Sequence, residues 1–224
     1  MSADAPRVHH YIAGSEPEFM LAYGPQDGPQ LLILQPLFEE MNRCRALVAA
    51  LCRGLAGRGI GCWLPDLPGT GESPRALETV DWSLWTEAVA TAACLIHSDT
   101  GRRPDCVSLR GGALLDGAAE EARRWRLSPT SGRSLLSDLR RSALASGSDP
   151  ATAAGYSLSP ALSAALQTAD VVVDDGGRTL RLVSDDRPAD RHVDAAPLWR
   201  RPEPTRGDAL AALLAEDIME WQGA

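Results

Sequence analysis

The chain has 224 residues, 44% of them hydrophobic and 23% charged, enough for one domain with a sizeable core. Its net charge of −8 and pI of about 5.0 argue against a nucleic-acid partner, whose affinity would come mainly from phosphate neutralisation. All 22 basic residues are Arg, which excludes a Schiff-base or P-loop lysine. The five cysteines, Cys44, Cys52, Cys62, Cys94 and Cys106, make no C-x-x-C pair and lie in apolar segments. They read as buried thiols of a reducing compartment, not as a disulfide frame or zinc site. Residues 1–10 hold no apolar signal core, and no apolar run approaches the roughly 18 residues of a membrane helix. A soluble, cytoplasmic protein is expected, with no cofactor. His9, His10, His97 and His192 are scattered, so no metal site is expected.

In chain order, residues 7–13 and 18–23 read as short strands around the turn Gly14-Ser15-Glu16-Pro17. Leu31-Leu32-Ile33-Leu34 is a continuous apolar run, suited to a strand buried on both faces of a parallel sheet. Leu47, Leu51 and Leu55 recur at i+4 and predict a helix over 42–55, stopped by Gly57 and Gly59. Cys62-Trp63-Leu64 is a further strand, followed by the loop Asp66-Leu67-Pro68-Gly69-Thr70-Gly71-Glu72-Ser73. Side-chain hydrogen bonds from Asp66 and Ser73 are expected to hold that loop. Asp81 caps a helix carrying Trp82, Trp85, Val89, Ala92 and Ile96, in which both tryptophans are expected in the core. Cys106-Val107-Ser108-Leu109 is a third buried strand, and Gly111-Gly112 opens another helix. This alternation predicts a parallel sheet with right-handed crossovers.

Residues 120–167 read as mostly helical, without a clear strand, and as a cap over the strand ends. The Arg cluster at 123–126 is then a solvated helical face. Val171-Val172-Val173 and Leu180-Arg181-Leu182-Val183 read as two strands around the turn Asp174-Asp175-Gly176-Gly177. Residues 184–207 read as loop. A last helix covers 208–221, with Leu210, Leu213, Leu214 and Ile218 on one face.

Three spots carry chemical information. Gln35-Pro36-Leu37-Phe38-Glu39-Glu40-Met41-Asn42 follows the first buried strand, Asp66-x-Pro-Gly-x-Gly-x-Ser73 the next, and Ser108-Leu109-Arg110-Gly111-Gly112 the third. In this order they resemble the N-terminal half of an α/β-hydrolase: oxyanion-hole loop, D-x-x-G-x-G-x-S loop and nucleophile elbow. More narrowly, residues Pro36 to Arg45 resemble the P-P-F-x-E-E-M-N-K-x-R segment of the exosortase A-associated hydrolases of the second type. Trp125-Arg126-Leu127-Ser128-Pro129, Gly155-Tyr156-Ser157-Leu158-Ser159-Pro160-Ala161-Leu162 and Ala196-Pro197-Leu198-Trp199 resemble later blocks of that family. The resemblance covers about residues 8–221. It implies a single α/β domain over 1–224, with a mostly parallel sheet flanked by helices, a helical cap and a reduced C-terminal half. It also implies oxyanion-hole-like positions at Leu37, Phe38 and Gly111, and a link to exopolysaccharide and PEP-CTERM sorting loci.

The chain departs from the enzyme pattern at two places. Arg110 stands at the nucleophile position, and a guanidinium has no usable lone pair. Pro197 stands where the histidine is expected, with His192 five residues earlier as a substitute. The acid would be Asp185 or Asp186. Arg110 has three readings: an anion anchor at a helix N-terminus, an internal ion pair with Glu39 or Glu40, or an unrelated surface position. Two functions follow. One is a non-catalytic protein that binds a small anionic or acyl ligand, or a protein partner of the sorting system. The other is an atypical esterase, thioesterase or acyl-transfer enzyme, with Arg110 as electrophilic stabiliser and Glu39, Glu40 or His192 as base.

Overall fold

Strand β3 (Gln30–Leu34) is buried along its whole length, as a strand covered by helices on both faces must be. The computed structural model describes residues 5–145, 155–172, 176–201 and 206–223. Around β3 runs an eight-stranded sheet in the order β1 (Arg7–Ala13), β2 (Glu16–Tyr23), β4 (Gly61–Pro65), β3, β5 (Asp105–Leu109), β6 (Arg124–Leu127), β7 (Arg178–Leu182), β8 (Arg191–Val193). β1 and β2 form a hairpin, and β2 meets β4 antiparallel. Every pairing from β4 to β8 is parallel.

Among the described residues, five helices cover the sheet: α1 (Glu39–Ala56), α2 (Trp82–Thr100), α3 (Gly132–Ala145), α4 (Pro160–Thr168) and α5 (Asp208–Gln222). One face packs Leu47, Leu51 and Leu55 of α1 with Leu210, Leu214 and Ile218 of α5. The other packs Trp85, Val89 and Ile96 of α2 with Leu135 of α3 and Leu162 of α4. Asp81 caps α2 as expected, its Oδ1 accepting from the Leu84 N–H at 2.8 Å. Among the described residues, no helix is long and apolar enough to cross a membrane.

The structure corrects several expectations. Gly111-Gly112 does not open an α-helix; two 3-10 turns, Arg110–Leu114 and Asp116–Ala118, follow β5 instead. Glycine pairs are poor helix formers, and Asp116 is drawn fully inward to Ser108 and Arg126. The stretch read as helical from residue 120 contains β6, in which Trp125 is fully buried and Arg126 is 5% exposed. Arg126 binds the Asp116 carboxylate twice, at 2.7 and 2.9 Å, so a strand carrying arginine enters the sheet. The cap-like helices α3 and α4 begin only after β6, and residues 146–154 between them lie outside the described residues.

Val171 and Val172 form no strand, because β7 takes the place beside β6. Val173, Asp174 and Asp175, part of the expected strand and turn, lie outside the described residues. β8 lies within the segment read as loop. It runs parallel to β7 although only residues 183–190 connect the two. Parallel neighbours ordinarily need a crossover of a dozen or more residues, commonly a helix. Here the expected abbreviation of the C-terminal half is visible as a turn without a helix. Cys94 is exposed, unlike the other four thiols.

Candidate functional site

In a parallel sheet the crevice beyond the carboxyl ends of the strands is the natural place for a ligand. Three residues at those ends have positive φ: Phe38 (+58°) after β3, Arg110 (+54°) after β5 and Ser128 (+44°) after β6. Non-glycine residues hold such a backbone only when their surroundings over-determine it, at a cost of ~1–3 kcal/mol each. For Arg110 part of the over-determination is visible at Gly112. A Cβ there would lie 2.3 Å from the Leu34 carbonyl oxygen, so the turn after β5 presses directly on β3.

The Arg110 guanidinium resolves the choice between Glu39 and Glu40. Its Nε donates to both carboxylate oxygens of Glu40 at 3.3 and 3.2 Å, and Nη2 donates to Oε1 at 3.0 Å. Nη1 donates to the Ser128 carbonyl at 2.8 Å, and the guanidinium carbon lies 4.7 Å from the centre of the Trp199 ring. Arg110 is only 6% exposed. Glu40 sits in the first turn of α1, where the helix dipole also favours its charge. Glu39, one residue earlier, turns away and pairs with Arg43 at 3.4 Å. Arg43 in turn donates to the Trp199 carbonyl at 3.1 Å, fixing the segment that stacks on Arg110.

Leu37, Phe38 and Gly111 are all buried at this end of the sheet. A Cβ on Gly111 would meet Leu135 Cδ1 at 2.6 Å and Leu37 Cγ at 3.2 Å, so α3 closes tightly over these positions. Phe38 packs its ring against Trp85 and Tyr156.

Two cavities flank the Arg110–Glu40 pair. The larger, about 430 Å³, lies between α1 and α3 and is lined by Phe38, Glu39, Glu40, Leu139 and Trp199, among others. The smaller, about 190 Å³, is lined by Arg110, Ser128, Asp185, Asp186 and Pro197, again with Trp199. The sheet therefore brings Arg110, both acid candidates and Pro197 to one cavity. Asp185 is already engaged there: Arg187 grips it at 2.8 and 2.7 Å and Arg181 at 3.0 Å. The hydrogen bonds from Arg187 and Arg181 outweigh burial and hold its carboxyl well below the usual range. Its position inside the short β7–β8 link explains this, since the charge cluster ties the turn down. His192 does not join the cavity lining. It lies on β8, exposed, with Nε2 3.1 Å from the Arg187 carbonyl oxygen.

The Gly-rich loop is held as expected. Asp66 accepts from the Glu72 N–H at 3.0 Å and Ser73 from the Gly69 N–H at 2.8 Å. Ser108 points inward to Asp116 at 3.0 Å. Sequence reasoning missed Ser128 and Trp199 as site residues, and missed the Asp116–Arg126 pair altogether. Ser128 and Trp199 sit in family-like blocks, but nothing local shows that they would face Arg110. Among the described residues, no cluster of His, Cys, Asp and Glu could hold a metal ion.

No protein-family model matches the chain, and neither does any curated protein. Solved structures do. A nominal hydrolase of Agrobacterium vitis S4 aligns over 97% of this chain and 98% of its own, with TM-score 0.54 and 16% identity. The bottromycin epimerase BotH, solved with bottromycin A2, aligns over 95% of this chain and 98% of its own, with TM-score 0.55 and 15% identity. An epoxide hydrolase of Vigna radiata aligns over 57% of this chain but only 41% of its own length, at TM-score 0.45 and 17% identity. At these identities the likeness concerns the backbone alone, and with the strand order above it shows that this chain has the α/β-hydrolase fold.

Proposed function

We propose that this chain is a non-catalytic member of the α/β-hydrolase fold that binds a small acyl or anionic ligand at the carboxyl ends of its strands. One observation carries the reading. The residue at the elbow, Arg110, is buried and held by Glu40, Ser128 and Trp199. A group so held offers neither a nucleophile nor a base. The remaining positions of a triad support the same reading, because Pro197 cannot exchange a proton and Asp185 is saturated by two arginines. The 430 Å³ groove between α1 and α3 has an apolar wall of Leu37, Phe38 and Leu139 suited to an acyl chain. The resemblance of residues 36–45 to the exosortase A-associated hydrolases supports a further part of the proposal. The ligand, or a partner protein, then belongs to an exopolysaccharide or PEP-CTERM sorting system in the cytoplasm.

The test is a screen of short-chain chromogenic esters and acyl-CoA thioesters on the wild type and Arg110→Ala, with thermal melting alongside. No turnover above buffer is expected from either protein, and a clear drop in melting temperature for the variant. Turnover by the wild type that vanishes in a folded variant would replace this reading by the hydrolytic one, with Arg110 as stabiliser and Glu39 or Glu40 as base.

A further inference from the structure

The smaller cavity contains donors that the protein leaves unused. Ser128 is 1% exposed, lines the cavity, and its Oγ has no hydrogen-bond partner among the described residues. A buried hydroxyl in that state is costly unless something else satisfies it. Its backbone is also strained, at φ +44°. Arg110, on the same cavity, has five N–H bonds. One on Nε and one on Nη2 go to Glu40, and one on Nη1 goes to the Ser128 carbonyl. One N–H on each terminal nitrogen remains, and N–H groups of a guanidinium are strong, charge-assisted donors to a carboxylate. Arg200 stands exposed on the same lining.

We infer that the 190 Å³ cavity is a binding site for a small organic carboxylate, held by the two remaining N–H groups of Arg110 and the hydroxyl of Ser128, with the exposed Arg200 on the same lining. This deepens the non-catalytic reading and rests on it. Charge decides between carboxylate and phosphate. Arg110 is balanced by Glu40, and Arg181 and Arg187 share the single charge of Asp185. Counting Arg200 and Asp186 on the same lining as well, the surroundings keep one net positive charge, which matches a monoanion. A phosphate dianion would face the carboxylates of Asp185 and Asp186 with its second charge uncompensated. Three donors also suit two carboxylate oxygens better than the several acceptors of a phosphate.

The experiment titrates acetate, inorganic phosphate and acetamide at constant ionic strength into the full chain. Backbone amide and tryptophan indole resonances are followed by NMR. Acetate is expected to shift the Ser128 and Arg110 amides and the Trp199 indole saturably, with acetamide at least about tenfold weaker because it forms no charged hydrogen bond, and with phosphate weaker than acetate because its second charge faces Asp185 and Asp186. Ser128→Ala should weaken acetate about tenfold by losing such a bond. Arg200→Ala, at an exposed position that does not threaten folding, should weaken it in the same direction. Acetate that moves none of these resonances, or binds equally to the wild type and both variants, overturns the inference, as does tighter binding of phosphate. The two proposals fail separately. Acetate binding together with ester turnover sinks only the non-catalytic reading, and absence of both sinks only the carboxylate site.

Discussion

The Arg110–Glu40 pair allows a quantitative test of what holds the turn after β5. Arg110 is 6% exposed and the Glu40 side chain 12%, so solvent screens the pair poorly. Removing one partner of a buried pair typically costs about 3–5 kcal/mol, because the other charge is left uncompensated. Glu40 borders the 430 Å³ groove and can recover some hydration from it, which puts Arg110→Met at the low end, about 3 kcal/mol. For a chain of this length each kcal/mol lowers the melting temperature by about 2–4 °C, so the variant should melt roughly 6–12 °C lower. Glu40→Leu strands a guanidinium that keeps only Ser128 and Trp199, and should be at least as unstable. The double variant Arg110→Met/Glu40→Leu removes both charges and should return to within about 1 kcal/mol of the wild type. Urea unfolding followed by tryptophan fluorescence gives the three stabilities. If the single changes add, with a coupling below about 0.5 kcal/mol, the pair is not the structural element argued here.

Three further outcomes follow from the same geometry. Gly112→Ala should destabilise by about 1–3 kcal/mol, since its Cβ meets backbone oxygens of Leu34 and Gln35; Gly111→Ala should be milder, because a flexible Leu135 methyl is its nearest contact, and equal melting temperatures would contradict this. Burial alone would raise the Asp217 carboxyl, but hydrogen bonds from Arg178, Trp125 and Arg191 outweigh it and hold it below its ordinary value of 3.8. A carboxyl lowered on folding contributes stability above its unfolded pKa and loses it as pH falls through the folded one. Asp217→Asn should therefore be less stable at neutral pH and flatten the stability profile below about pH 4; an unchanged acid slope in urea titrations would refute the assignment. Iodoacetamide should modify one thiol, Cys94, in the folded chain and all five after denaturation, as read by intact mass; rapid labelling of any second thiol in the folded protein would contradict the burial of the other four.

Where burial and period agree, the elements were legible. The apolar run at 31–34, the Leu repeat of α1 and the capped helix after Asp81 all appear as read, with α1 starting three residues earlier. The position of Arg110 directly after β5 was legible too, because the end of a short apolar strand is a local pattern. β6 was not. Its alternation Arg124-Trp125-Arg126-Leu127 has the period of a strand, but two arginines argue for solvent unless a carboxylate waits inside. That carboxylate, Asp116, is delivered by the 3-10 turns after β5, which the Gly-Gly sequence presents as a helix start. β8 was missed because three residues carry no periodicity, and its pairing depends on β7 already being in place.

Sequence by itself thus determined the class of the fold and the presence of an arginine in the turn after β5. Both follow from short-range properties, the spacing of apolar residues and the identity of one side chain. Tertiary structure alone decided what that side chain does. Glu39 and Glu40 are adjacent and chemically equal, yet about 100° apart around the helix. The docking of α1 aims one at Arg110 and leaves the other with Arg43. Arg110 and Glu40 are 70 positions apart in the chain, and Arg110 and Trp199 further still. A buried charge takes the partner that packing brings within 3–4 Å, and local sequence holds no record of that distance.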